Sequence, residues 1–195
     1  RRGVLAAPPR QCPAADALDR SRLTLKGTVI ADYRHETYCG LYCGACPILA
    51  ANEAGNEKQL AAWAAEWKRS IEDLRCRGCY TDLTAVFCRN CEIRDCARAR
   101  GLTHCGLCPE FPCRLLESFR DDDAAHHCVV VAASRRRAQL GDAAWLQRQR
   151  ARWSCPDCGR DFTWYQKRCP ECNSELYDCR AEEADLTGET EGPTP

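Results

Sequence analysis

Cysteine is the residue type best placed to do chemistry in this sequence. It fills 18 of the 195 positions, and twelve of these fall in Cys-x-x-Cys pairs at 43/46, 76/79, 88/91, 105/108, 155/158 and 169/172. Two thiolates three positions apart on a tight turn point at one ion, and two such turns from separate segments complete a tetrahedron. The spacing therefore predicts thiolate-bound metal. Disulfides are the rival use of so many cysteines, but they belong to secreted chains, whose leaders carry an apolar run of about 7–15 residues. Only Val4 to Ala7 precede the prolines at 8 and 9, so a reducing, cytoplasmic setting is expected, where a cysteine pattern more often means metal or redox chemistry. No window approaches the roughly 18 apolar residues of a membrane span, and no membrane partner is expected.

The most specific signal is Cys155-Pro-Asp-Cys158, a ten-residue spacer, then Cys169-Pro-Glu-Cys172. It predicts a zinc ribbon on a β-hairpin, with iron in a rubredoxin-like site as the rival because the ligand set is the same. A closed four-thiolate site leaves no open coordination position, so the ion is expected to be structural. The upstream candidates are Cys39, Cys43, Cys46, Cys76, Cys79, Cys88, Cys91, Cys96, Cys105, Cys108 and Cys113. Four knuckles provide thiolates for two sites, and Cys39, Cys96 and Cys113 with His104 or His35 could make a third. Three to four zinc ions are expected in all, with the pairing left open. The same thiols also suit iron–sulfur clusters, which would make residues 39–113 a redox or sensor unit, although the bacterial ferredoxin run is missing. The Cys39-x3-Cys43-x2-Cys46 spacing matches that of radical-SAM enzymes, but the short helices and loops around it cannot supply their large barrel. Ser-His-Asp order, paired acid/base carboxylates and phosphate-binding glycine loops are absent, so no catalytic residue is assigned.

The strings Tyr38-Cys-Gly-Leu-Tyr-Cys-Gly-Ala-Cys-Pro47, Arg75-Cys-Arg-Gly-Cys79, Cys88-Arg-Asn-Cys-Glu-Ile-Arg-Asp-Cys-Ala97 and Cys105-Gly-Leu-Cys-Pro-Glu-Phe-Pro-Cys113 resemble the cysteine-rich "domain of unknown function 3795" family. The resemblance covers residues 38 to about 120. It implies a microbial metal-binding protein and no established reaction; some members carry a second cysteine unit after a Trp-containing helix, as residues 153–176 do here.

These ligands need elements to position them. Leu, Ile, Val and Phe together number 31 of 195, below the roughly 20% at which apolar burial offsets chain entropy, so metal is expected to replace part of the core. The predicted fold class is a small metal-stapled α+β protein of short helices and Cys-knuckle loops with a C-terminal β-hairpin. Residues 1–33 read as a flexible extension containing a strand from Leu23, 34–120 as the cysteine-rich domain, 121–153 as a helical connector, 154–176 as the ribbon and 177–195 as an acidic disordered tail. Leu60, Trp63, Ala64, Trp67, Ile71 and Leu74 recur as one helical stripe. Asp142 is the expected N-cap of the helix carrying Trp145. His126 and His127 read as a surface-facing pair.

Lys+Arg and Asp+Glu balance at 28 each, so the net charge is zero, which argues against disorder of the whole chain. Locally, Arg135, Arg136, Arg137 and Arg148 precede the aromatic Trp164 and Tyr165, and this group is the candidate nucleic-acid contact. A protein partner is the other expectation, for an interaction module built on metal.

Overall fold

The computed structural model describes residues 32–188. The expected strand at Leu23, the flexible extension up to residue 31, Cys12 and the last seven residues lie outside the described residues. Short helices alternate with cysteine turns throughout: α1 (Pro47–Glu53), α2 (Glu57–Glu66), α3 (Glu92–Ala99), α4 (Arg114–Arg120), α5 (Val130–Leu140), α6 (Asp142–Arg152) and α7 (Cys179–Gly188).

Two apolar clusters carry the packing. The smaller one joins α1, α2 and the 3-10 turn Ile71–Leu74 through Leu49, Leu60 and Leu74, all buried. Pro47 opens α1 directly after Cys46; its fixed φ suits a first helical position, where its missing N–H costs nothing. The helical stripe expected over 60–74 divides in two. Lys68 adopts a φ of +52°, which α-helix cannot continue through, and Ser70 with Asp73 forms a capping box that starts the next turn. Trp67 consequently stays partly exposed, stacked on Trp63 at 5.7 Å.

The larger cluster surrounds α5. Val130, Ala133, Ser134 and Arg137 on this helix are fully buried, as are Trp145 and Gln149 of α6 and Trp153 just beyond it. Asp142 does not cap α6. Gly141 occupies the cap with a φ of +77°, and the Asp142 carboxylate instead accepts from Nε of Arg137 at 2.8 Å. A buried guanidinium needs a counter-charge more than a helix end needs a side-chain acceptor. Arg137 also donates to the Thr37 carbonyl at 2.5 Å, so α5 is tied to the segment that leads into Cys39.

The fold class needs correcting at the C-terminus. In place of a β-hairpin, the described residues show two isolated antiparallel bridges, Ser154 with Asp161 and Arg168 with Glu175. Each knuckle is closed by its own short turn, which leaves no run of residues to extend a ladder. The tail expectation also differs from what is found. Cys179, Glu182 and Leu186 recur at helical spacing and are buried, so α7 packs on α5 and the Ala125–Val129 turn although its composition is acidic. No described helix is long and apolar enough to cross a membrane.

Candidate metal centre

The C-terminal knuckles are near copies of one another. Gly159 N–H donates to the Cys155 carbonyl at 2.8 Å and Asn173 N–H to the Cys169 carbonyl at 2.9 Å. The residue after the second cysteine is left-handed in both, Gly159 at +74° and Asn173 at +63°, the two residue types that reach this region most readily. The turns face each other so that Cys155 and Cys172 sulfurs lie 3.5 Å apart, as do those of Cys158 and Cys169. All four sulfurs fall within 4.8 Å of one another. A tetrahedral ion with metal–sulfur bonds of about 2.3 Å sets its thiolates about 3.8 Å apart, so the donor set fits a single thiophilic ion. Among the described residues this is the one group of three or more Cys, His, Asp or Glu that meets the spacing. Ser174 supports it: its hydroxyl and peptide N–H hold the Cys172 thiol down to about 6, favouring the thiolate that metal requires.

Aromatic residues cover this unit from the core side. Phe162 and Trp164 are buried, and Trp164 N–H donates to the Ala45 carbonyl at 3.0 Å, joining the C-terminal unit to the Cys43–Cys46 turn. His126 stacks on Trp164 at 4.1 Å and shares a 2.7 Å hydrogen bond with the Tyr165 hydroxyl. The histidine pair expected at the surface is thus packed among rings. Burial pushes His126 down to about 3, and His127, against Phe119 and Asp122, is also lowered by burial. Of the arginines singled out with Trp164 and Tyr165, Arg137 is buried in its ion pair, Arg135 is exposed with its guanidinium over the Phe111 ring, and Arg136 bonds Gln139. Arg148 is exposed on α6 beside Tyr177 and Asp185.

The eleven upstream thiols are arranged more openly. Cys43 is within electrostatic reach of Cys46, Cys79, Cys88 and Cys76, and burial above all raises it well beyond the ordinary thiol range. Cys39 faces Cys91 and Cys105, with burial pushing it up to about 11 against a hydrogen bond from Thr37. Cys105 neighbours Cys113, Cys96, Cys108 and Cys91; burial first, then these thiols, push it up to about 12. Burial likewise takes Cys46 to about 11 and Cys79 to about 12, and raises Cys88. Raised in this way, these groups are neutral thiols at neutral pH. Cys91 caps α3, its sulfur 3.5 Å from the Arg94 N–H. Cys76 is buried beside the smaller apolar cluster. His104 is buried near Arg137 and Asp142, and burial takes it down to about 4. No disulfide joins any described cysteine.

Ser134 is the positioning residue that sequence reasoning missed. Its hydroxyl donates to the Cys39 carbonyl at 3.0 Å. Two cysteine turns reach α5 at this point: a Cβ on Gly40 would lie 2.4 Å from the Ser134 hydroxyl oxygen, and one on Gly106 only 2.1 Å from the Ser134 carbonyl oxygen. A small residue in an otherwise Arg-rich stretch was the available signal.

Fold and site together define a small, mostly helical, cysteine-rich protein with a four-thiol group able to hold a metal ion. Residues 35–118 match the model of a family described as protein of unknown function (DUF3795), in agreement with the resemblance carried by the four motifs. The two-knuckle unit lies outside that match. No curated protein and no solved structure matches the chain.

Proposed function

We propose that this is a multi-metal-binding protein whose metal sites are chiefly structural and whose role is to present a metal-organised surface to a partner. The observation that carries the reading is the four-sulfur group of Cys155, Cys158, Cys169 and Cys172, all within 4.8 Å. Zinc is the proposed ion: four thiolates form a closed, soft, tetrahedral site, and zinc adds folding energy there without redox chemistry. The eleven thiols between Cys39 and Cys113 bind further metal, in a reducing cytoplasmic setting where free thiols persist. The proposed organisation is a cysteine-rich part over 34–120, the helical connector, and the two-knuckle unit over 154–176.

The test is metal content. Protein expressed with zinc should carry one ion that Cys155→Ser and Cys172→Ser both lose, and cobalt substitution should give the thiolate-to-metal charge-transfer bands of a tetrahedral four-sulfur site. Zinc stoichiometry unchanged by both substitutions would overturn the assignment.

A further inference from the structure

Away from the two-knuckle site, three aromatic rings meet at the surface where the end of α2 faces the turn that leads into Cys88. Trp67 stacks on Trp63, with ring centroids 5.7 Å apart and planes within 3° of parallel, and it meets Phe87 edge to face at 5.8 Å. Trp67 is 37% exposed and Phe87 60%. Single apolar residues at a surface need no reason, but large exposed rings in mutual contact do.

Polar contacts fix this group from below. Asp73, which closes the capping box with Ser70, also accepts from Nη1 of Arg89 at 3.0 Å, and Nη2 of Arg89 donates to the Glu72 carbonyl at 3.4 Å. These bonds tie the Val86–Cys88 turn to the Ile71–Leu74 turn and so set Phe87 beside Trp67.

The corner just after Trp67 is not the one that stability alone would select. Helix α2 ends in a Schellman motif: Lys68 N–H donates to the Ala65 carbonyl at 3.4 Å and Arg69 N–H to the Ala64 carbonyl at 2.9 Å. The left-handed position of that motif belongs by preference to glycine, which reaches it without strain. Here it is held by Lys68, at a φ of +52°. A backbone outlier of this kind points to a use for the side chain that causes it. Lys68 and Arg69 are both exposed, and neither side chain has an ion-pair partner among the described residues. Over residues 66–75, Asp73 is held by Arg89 and Glu72 by Arg75, so Glu66 alone opposes the two cations.

Exposed rings beside unpaired cations suit a ligand that repeats flat faces and negative charge along one chain. Single-stranded nucleic acid does so, because its bases stack on aromatic rings whatever their identity and its phosphates attract Lys and Arg. A duplex hides the same faces within its own stack. The arginines that the sequence sets before Trp164 lack this arrangement, since that ring is buried. We propose that Trp63, Trp67 and Phe87 form a stacking platform for the bases of a single strand, with Lys68 and Arg69 holding its phosphates.

The proposal rests on the partner-presenting role proposed for this protein and not on the identity of its metal. The test titrates the full chain into fluorescein-labelled oligouridine, oligothymidine and a DNA duplex, reads anisotropy at about 50 and about 200 mM salt, and counts zinc on the same preparation. Both single strands should bind, and the duplex about tenfold more weakly. Tighter binding of oligouridine would assign the platform to RNA, and tighter binding of oligothymidine to DNA. Trp67→Ala and Phe87→Ala should each weaken single-strand binding about tenfold, the loss of one stacked base. Lys68→Gly should lower the slope of log affinity against log salt by about 0.7, and it should also raise the urea midpoint, because glycine relieves the left-handed backbone. A gain in stability with no change in slope would overturn the role given to Lys68. A zinc-loaded chain that binds neither strand at the lower salt would overturn the platform and leave the metal reading intact. The platform is equally overturned by equal binding of the duplex, by undiminished binding in both ring variants, or by a dimer of the unaltered chain that Trp67→Ala dissolves, which would assign the rings to a second copy. Strand binding by a chain that carries no zinc would support the platform and count against the metal reading instead.

Discussion

The two thiol-bearing regions use the same Cys-x-x-Cys turn to different ends. Around Cys155 the turns are ten residues apart, and their sulfurs converge to 3.5 Å pairs. Between Cys39 and Cys113 the turns are tethered to α5, to α3 and to one another's backbone, and no three of their sulfurs come within 4.8 Å of one another. A cysteine turn therefore specifies where its two thiols point, while whatever grips the turn from behind sets how closely two turns approach. In the first region the sulfurs converge on one point; in the second the turns are held by the packing behind them.

Removing metal should break this contrast most severely. A structural zinc site contributes on the order of 10 kcal/mol to folding. Cys155→Ser should therefore loosen the aromatic cover formed by Trp153, Phe162 and Trp164, seen as a collapse of the near-UV circular dichroism of these rings. An unchanged signal in the zinc-free variant would show that the aromatic core, not the ion, holds the unit together.

The tethered region should fail instead through its grips. Gly106→Ala places a Cβ 2.1 Å from the Ser134 carbonyl oxygen, and overpacking of backbone against backbone should cost about 3 kcal/mol, read as a lower urea midpoint. A wild-type midpoint would mean that this turn is free to shift.

A smaller effect lies in α7. Burial raises Glu182 to about 7 from an ordinary 4.5, with Gln149, Arg152 and Trp153 pulling the other way. The folded state thus holds a proton that the unfolded chain has already released. The associated stability is present below about 4.5 and is lost as pH rises through about 7. Glu182→Gln should consequently gain about 2 kcal/mol over wild type between pH 5 and pH 8. A stability difference that stays flat across this range would place the carboxyl in contact with water.

Gly159→Ala sharpens the comparison from the other side. No atom lies within 4 Å of the Cβ it would add, so only the left-handed φ is penalised, by about 1 kcal/mol. Gly159→Asn should cost still less, since Asn173 already serves at the equivalent place. Loss of zinc in either variant would contradict the separation of turn shape from turn spacing. The smallest change is expected for Tyr165→Phe, which removes the hydrogen bond to His126 and should cost about 1 kcal/mol or less; a larger fall in thermal midpoint would mean that this bond organises the rings around it.

Much of this could be read in advance from local pattern. The knuckle at Cys155 and its partner at Cys169 were legible because each turn is specified within five residues. The stripe through Trp63 and Ile71 misled because the periodic signal runs past Lys68, whose left-handed backbone no spacing rule detects. Helix α7 was hidden by its acids: Glu182 counts as a solvated charge in any composition, and only its burial against Trp153 and Gln149 makes it an inward residue. Asp142 had the right type for a cap but pairs with the buried Arg137 guanidinium, a contact that exists only once α5 and α6 have packed.

Sequence alone determined that Cys155, Cys158, Cys169 and Cys172 would form two matched turns, since the geometry of a three-residue turn is a local property. It also determined that aliphatic packing would be limited. Tertiary structure decided how far apart the upstream cysteine turns would stand, because that distance depends on Ser134, Gly106 and Arg137, which touch the cysteine turns only after α5 has packed between them.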